Sequence, residues 1–364
     1  RELIRVSSEI IRDAYDETCD VFELLNNAES NLFQIAENNM SKQALSMKSL
    51  LGEAIQEIEK ASKNKDGISG VASGFHDLDK ITAGWQRSDM IVLAARPGMG
   101  KTAFILSMAR NTAIDHKMGV AIFSLEMSSV QLVKRLIASE ARIDSVKLRK
   151  GELQDHEFQQ MHSRIVNLSS APIFIDDTPG LSIFDFRAKC RRLKAQHNVE
   201  LIIIDYLQLM SAKDGKGYGN REQEISTISR SIKEIAKELN VPIIALAQLS
   251  RAVESRGGEK RPMLSDLRES GAIEQDADIV SFIYRPETYG LTSSDSGNST
   301  QGMAEIIIAK HRNGQTGKVN LRFVPEFARF ENMHEVSDLE LSKPLKNNLS
   351  TFNQDSNTYT LPSK

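Results

Sequence analysis

The residues of this sequence best suited to chemistry form one short run, Ala95-Arg96-Pro97-Gly98-Met99-Gly100-Lys101-Thr102. It follows the apolar segment Met90 to Ala95 and precedes a helical pattern containing Phe104, Ile105, Leu106 and Met108. Glycine at 98 and 100 permits the tight backbone path that turns N–H groups toward phosphate at a helix N-terminus. Lys101 suits the β and γ phosphates of a nucleotide, and the Thr102 hydroxyl suits Mg²⁺. The generic phosphate loop opens on glycine, whereas Ala95 stands there in this chain. An accidental glycine turn is the bland alternative, and the strand-to-helix junction speaks against it.

Five further positions could serve such a loop. Asp205 ends the run Leu201-Ile-Ile-Ile204, so its carboxylate is expected at a strand's C-terminal edge, where it can support the metal or be a simple solvent-facing strand end. Glu126 follows Val120 to Leu125 and suits either orientation of the water that attacks the γ-phosphorus or a helix-start turn. Gln248 follows Pro242 to Ala247 and suits either a γ-phosphate sensor or a structural hydrogen bond. Lys310 and Arg312 alternate in an extended segment and so share one side. They read either as cations supplied to a neighbour's γ-phosphate or as a solvated pair. The segments Lys213 to Gly219 and Arg256 to Pro262 are glycine-rich and partly basic, suited to reaching a phosphate backbone or simply to solvation.

These positions need a scaffold that sets several strand ends side by side. Apolar runs at Met90–Ala95, Val120–Leu125, Pro172–Ile175, Leu201–Asp205, Pro242–Ala247 and Ile279–Ile283 alternate with helical patterns. Their near-continuous hydrophobicity is that of strands buried on both faces, so an α/β fold with a largely parallel sheet is expected. Ser128 with Gln131 and Ser182 with Asp185 mark helix starts after the second and third strands. Ala304–Ala309 and Lys318–Val324, separated by a turn with Asn313-Gly314, suggest a hairpin.

With 364 residues, 40% of them hydrophobic, the chain supports one substantial core and a smaller accessory element. A net charge of −3 excludes a grossly basic coat, so any polyanion contact must be local. Cys19 and Cys190 form no paired motif, which argues against a disulfide scaffold or structural zinc and suits a reducing compartment. Neither an apolar span nor a signal peptide is evident, so a cytoplasmic protein without membrane contact is expected. The first residue is Arg, which suggests a start inside a longer polypeptide. Val21, Leu25, Ala28, Leu32 and Ile35 predict an amphipathic helix over 21–37, and a second helix is expected from Leu50 to Ala61. Beyond about Asp338 the sequence is polar and aromatic-poor, as a mobile tail would be.

From the linker onward the chain resembles a DnaB-type replicative helicase. The matching runs are 95–102, Phe123–Ser128, Ile203–Leu209, Ala247–Arg251, Asp266–Asp278 and Lys310–Gly317, in order and at family spacing. The resemblance implies a RecA-like ATPase core, with 1–18 the trailing edge of a helical N-terminal domain, 19–66 a linker, 67–333 the motor and 334–364 the tail. It implies that Lys101 and Thr102 serve ATP and Mg²⁺, Asp205 supports the metal, Glu126 is the catalytic glutamate and Gln248 the sensor. Lys310 and Arg312 then enter from an adjacent subunit, and Arg268, Glu269 and Gly271 line a DNA channel. It further implies a homo-hexamer moving 5′-to-3′ on single-stranded DNA at replication forks near the nucleoid, with primase and a helicase loader as partners. A RecA-like recombination ATPase and a non-catalytic ATP-binding scaffold are the alternatives.

Overall fold

A computed structural model describes residues 2–16, 46–63, 67–212, 221–256, 258–291 and 299–333, with single helical positions at Val21, Leu24, Ala28 and Asn31. The expected helix over 21–37, apart from those four positions, the segment Lys213–Gly219 and the tail lie outside the described residues, as does Cys19. The chain divides into two compact units, Arg1–Lys63 and Asn64–Lys364.

The first unit contains helices α1 (Glu2–Ala14) and α2 (Met47–Lys63). In α1 an Arg5–Glu9 pair at 2.7 Å bridges one turn. In α2 the apolar residues Met47, Leu50, Leu51, Ile55 and Ile58 recur at helical spacing and are exposed.

The second unit is built on a nine-stranded sheet in the order β3-β2-β4-β5-β1-β6-β7-β8-β9. Strands β1 (Met90–Ala95), β2 (Gly119–Ser124), β3 (Ile173–Asp176), β4 (Val199–Asp205), β5 (Ile243–Gln248) and β6 (Ile279–Tyr284) pair in parallel. Strands β7 (Met303–His311), β8 (Gly317–Val324) and β9 (Arg329–Asn332) extend the sheet antiparallel. The expected α/β class with a mostly parallel sheet is therefore the one observed. Side chains alternate across each strand, so an unbroken apolar run feeds two cores at once. Ile91, Leu93, Ile122, Ile203 and Leu246 join one cluster with Phe104, Ile105 and Met108 of α4 (Lys101–Arg110). Met90, Val92, Phe123, Ile202 and Ile204 join the other, with Phe186 of α8 (Ile183–His197) and Ile225, Ile228 and Ile232 of α9 (Arg221–Leu239). Each such large apolar side chain contributes about 1.5–3 kcal/mol by leaving water.

Strand ends sit within two residues of the expected positions. β3 is half-buried rather than enclosed, because it forms an edge of the sheet. The connection between β7 and β8 spans residues 312–316, longer than a two-residue hairpin turn. Gln131 accepts the Ser128 N–H at 3.2 Å ahead of α5 (Ser129–Ala141), and Ser182 Oγ accepts the Asp185 N–H at 3.1 Å at the start of α8. Helices α3 (His76–Thr82), α6 (Ser145–Lys150) and α7 (Asp155–Ser169) also belong to this unit. No helix among the described residues is long and apolar enough to cross a membrane. Cys190 is buried, and that burial pushes its thiol far up, away from any nucleophilic role.

β9 was not legible in the sequence, since Arg-Phe-Glu-Asn carries one apolar residue. Its Phe330 makes the strand count: the ring lies 5.4 Å from Phe104 edge-on and 4.9 Å from Phe323, and the backbone N–H donates to Ser107 Oγ at 3.0 Å.

Candidate functional site

Ala95 closes β1 in register with Gln248, the last residue of β5, and Asp205 closes β4 in register with Ser124 of β2. Four adjacent parallel strands thus deliver their carboxyl ends to one rim, where ligands of open α/β sheets bind. Between β1 and α4 the chain makes its phosphate-loop turn. Gly98 (φ 81°) and Gly100 (φ 94°) both occupy the left-handed region, which explains why glycine is required at each. Gly100 has a second reason: a Cβ there would meet the Phe330 ring at 3.1 Å. Arg96 is buried and donates to Glu254 and to the Leu249 carbonyl, both at 2.8 Å, while Pro97 and Gly98 face solvent and Met99 is buried in the core. Arg285 braces the loop from behind, stacked 4.0 Å over the Phe323 ring with a 3.4 Å bond to the Gly98 carbonyl.

Lys101 Nζ donates to the Ala247 carbonyl at 3.1 Å and lies 5.5 Å from the Tyr206 ring centroid. Burial depresses its pKa, an effect opposed by the charges of Asp205 and Glu126. Thr102 Oγ1 donates to Asp205 Oδ2 at 2.9 Å. Asp205 is only 2% exposed, and burial raises its pKa against the pull of the Thr102 hydrogen bond and Lys101. Both shifts have the sign that an incoming triphosphate and a divalent cation would reverse. A hydroxyl at a helix start and a carboxylate at a strand end form a hard oxygen pair that fits Mg²⁺. Among the described residues no three His, Cys, Asp or Glu side chains converge on an ion, so phosphate oxygens and water would complete its coordination.

Glu126 is exposed, two residues beyond β2 and directly after Leu125, whose N–H donates to the Asp205 carbonyl at 2.7 Å. Gln248 is exposed at the end of β5 and borders a cleft of about 390 Å³ lined also by Arg96, Tyr206, Gln208, Arg251 and Asp266. Across this cleft the chain after β5 is tied to the segment Leu264–Ser270, since Ser250 N–H donates to the Asp266 carbonyl at 3.1 Å.

Lys310 and Arg312 do not join this rim. β7 runs antiparallel to β6, with His311 opposite Ile279, so both cations emerge where β6 and β1 begin. Asp278 fixes the point: its Oδ2 accepts the Met90 N–H at 2.8 Å and its Oδ1 lies 3.4 Å from Arg312. The whole of β1, about 20 Å at ~3.3 Å per residue, separates Arg312 from the phosphate loop of its own chain. Arg312 remains 46% exposed there, and Lys310 donates to the Glu274 carbonyl at 2.6 Å. Burial lowers the Lys310 pKa, and the charge of Arg312 lowers it further.

The same corner holds charges that sequence reading missed. Asp89, Asp278, Lys233 and Arg312 form one network, with Lys233 bonded to Asp278 and to the Ser88 carbonyl at 2.8 Å. Asp278 ends the run Asp266–Asp278, but nothing in its spacing signalled the contact. Burial, reinforced by Asp278, pushes the Asp89 carboxyl from 3.8 up to about 6. The folded chain therefore holds this proton more tightly than the unfolded chain. The stability it contributes is present below about pH 4 and is lost as pH rises through about 6. Asp89→Asn should accordingly raise the thermal midpoint at pH 8, by at most about 3 kcal/mol of stability. The gain should vanish at pH 4, and an equal gain at both pH values would refute the assignment.

Of the residues expected to touch DNA, Gly271 begins the short helix α11 (Gly271–Asp276), which follows α10 (Ala252–Ser255); it is exposed and has open space where a Cβ would stand. Arg268 and Glu269 lie in the turn before it, and their side chains are outside the described residues. The segment Arg256–Pro262 uses its guanidiniums internally: Arg256 pairs with Asp266, and Arg261 with Glu259 and Glu305.

Residues 70–332 match the family model of the DnaB-like helicase C terminal domain. The replicative DNA helicase DnaC of Bacillus subtilis (strain 168) is 45% identical over 338 residues, covering 93% of this chain and 73% of that protein. The replicative DNA helicase DnaB of Geobacillus stearothermophilus is 46% identical over 339 residues at the same coverage. Among solved structures, a DnaB-like replicative helicase described with its interactions with primase superposes with a TM-score of 0.76 at 38% identity, covering 91% of this chain and 75% of that one. A solved structure of an isolated ATPase domain gives a TM-score of 0.72 at 40% identity, covering 80% of this chain and 100% of that one. On the breadth of these matches, added to a strand-end phosphate loop in a mostly parallel sheet, the chain belongs to the DnaB-type replicative DNA helicases, enzymes that hydrolyse ATP and unwind DNA.

Proposed function

We propose that this chain is the motor of a homo-hexameric ring that hydrolyses ATP at seams between subunits while moving 5′-to-3′ on single-stranded DNA, with residues 19–66 as linker and 67–333 as motor. The single observation that carries the reading is the separation of Lys310 and Arg312 from Lys101 along β1. Two cations at the far edge of the sheet cannot serve the nucleotide of their own chain, yet Arg312 remains open to solvent. A neighbouring subunit's triphosphate is the partner that suits them.

On one side of the seam, the backbone N–H groups of 95–102 and Lys101 bind the phosphates. Thr102 and Asp205 would hold Mg²⁺, which when bound offsets charge on the β and γ oxygens. Glu126 orients the attacking water and accepts its proton. From the other side, Lys310 and Arg312 stabilise charge as the γ-phosphoryl leaves. Gln248 lies two residues before Ser250, whose N–H is tied to the Asp266 carbonyl, so a γ-phosphate sensor at this position would be joined through the backbone to the segment 264–271. In that segment Arg268 by charge, Gly271 by its backbone N–H, and Glu269 by backbone contact or by ordering Arg268 suit the DNA backbone. Primase and a helicase loader are the proposed protein partners. The solved relative described with primase supports the first of these. Work at replication forks in the cytoplasm completes the reading.

The test is co-assembly of Glu126→Gln and Arg312→Ala chains. Each alone should be nearly inactive, and the mixture should regain ATP hydrolysis at interfaces pairing an intact Glu126 with an intact Arg312. A mixture no more active than its components would reject the shared site.

A further inference from the structure

A buried carboxylate must find partners for its lone pairs, and those partners reveal what it holds in place. Asp278, immediately before β6, is nearly inaccessible. Its side chain accepts from the Met90 N–H and the Lys233 ammonium and faces the Arg312 guanidinium at 3.4 Å. Its carbonyl accepts the Arg312 backbone N–H at 2.9 Å. Both ends of the Arg312 residue, backbone and charge, are thus referred to one aspartate.

From there the two cations reach the last turn of α11. Lys310 Nζ donates to the carbonyls of Glu274 and Gln275 at 2.6 and 3.3 Å, and Arg312 donates to the Gln275 carbonyl. Carbonyls at a helix C-terminus lack intrahelical partners and carry the negative end of the dipole, so cations settle there. The opposite end of this helix is Gly271, about 9 Å away at ~1.5 Å per residue. Ile273 is fully buried in one cluster with Leu267, Ala277 and Ile225, Ile228 and Ile232 of α9. Anchored in this way, α11 is a packed element rather than a loose tether.

We propose that Asp278 is a positioning residue for Lys310 and Arg312, and that α11 is the rigid link by which the segment ending at Gly271 and the two cations sense one another. This rests on the shared-site reading above and names the part that would let DNA held by one subunit govern hydrolysis in the next. Releasing Arg312 from Asp278 would leave a long side chain free to wander from the geometry a γ-phosphate needs, a displacement that costs about tenfold to a hundredfold in rate.

The experiment uses Asp278→Asn in the full chain, with ATP hydrolysis measured with and without single-stranded DNA. The DNA-stimulated rate should fall about tenfold or more, while the DNA-free rate falls by less. Co-assembly then separates the roles. Asp278→Asn mixed with Glu126→Gln should regain activity, whereas Asp278→Asn mixed with Arg312→Ala should not, because both lack a working cation pair. Recovery in the second mixture would place Asp278 in service of its own subunit's nucleotide and overturn the proposal. So would no recovery in the first mixture when Arg312→Ala with Glu126→Gln does recover. If that control pair also fails, the shared site itself is wrong, and this proposal falls with it. Should Asp278→Asn fail to assemble, Asp278→Glu keeps the charge but moves it by one methylene. It is expected to give the same pattern at a smaller loss, and undiminished DNA-stimulated rates from it would equally overturn the proposal.

Discussion

Arg312→Ala is expected to lower the DNA-stimulated kcat for ATP hydrolysis by about 10³-fold or more, with nucleotide affinity unchanged to within a few fold. The asymmetry follows from position. Arg312 stands a strand's length from its own phosphate loop, so the groups that bind ATP there, Lys101 foremost, are untouched by its removal. On the proposed shared site, what would be lost is a charge acting on a neighbour's leaving γ-phosphoryl group, an interaction that strengthens only as that group separates. The folded state should tolerate the change. Arg312 is half-exposed, and Asp278 keeps Lys233 as a partner when the guanidinium is gone. Steady-state hydrolysis in saturating single-stranded DNA, paired with a fluorescent-nucleotide titration, measures both quantities. A kcat within about threefold of the parent would sink the assignment, and a large loss of affinity with kcat unchanged would turn Arg312 into a binding residue only.

The second large effect is at Glu126. Glu126→Gln keeps the side chain's length and removes its capacity to accept a proton, and a loss of about 10²–10⁴ in kcat is expected. The charge of this carboxylate is felt by both Lys101 and Asp205, which puts Glu126 near the same strand-end rim. Removing the charge relieves repulsion with Asp205, so nucleotide should bind as tightly as before or more tightly. Single-turnover hydrolysis after rapid mixing separates this from slow product release. A variant that cleaves ATP within about tenfold of the parent would move the water-orienting role to another group.

How much of this could be read without coordinates depends on the range of the forces involved. The strand ends were legible because Leu201-Ile-Ile-Ile204 and its counterparts must be buried on both faces, and a carboxylate or amide placed directly after such a run has only the sheet rim to occupy. That reasoning brought Lys101, Thr102, Asp205, Glu126 and Gln248 together from segments far apart in the chain. It failed for β9, because Arg329-Phe-Glu-Asn332 pairs through backbone and one aromatic ring and shows no apolar alternation. It failed also for Asp89 and Asp278, whose meeting with Lys233 and Arg312 depends on strand register across residues far apart in the chain. The basic segment Arg256–Pro262 was open between reaching a phosphate backbone and simple solvation, and its guanidiniums do something neither reading named: Arg256 is paired with Asp266 and Arg261 with Glu305. Charge in a loop reports what the chain can expose, and only the fold reveals what has already claimed it.

The ring of Phe330 against Gly100 sets a timetable for the molecule. Among the described residues β9 is the last strand of the sheet to be translated, and until it has emerged from the ribosome the nucleotide loop lacks the aromatic wall behind it. A nascent chain that stops short of Phe330 holds every residue of the loop and still has no finished cradle. That last strand is thereby built into the nucleotide loop: the ring that backs Gly100 comes from the far end of the same sheet.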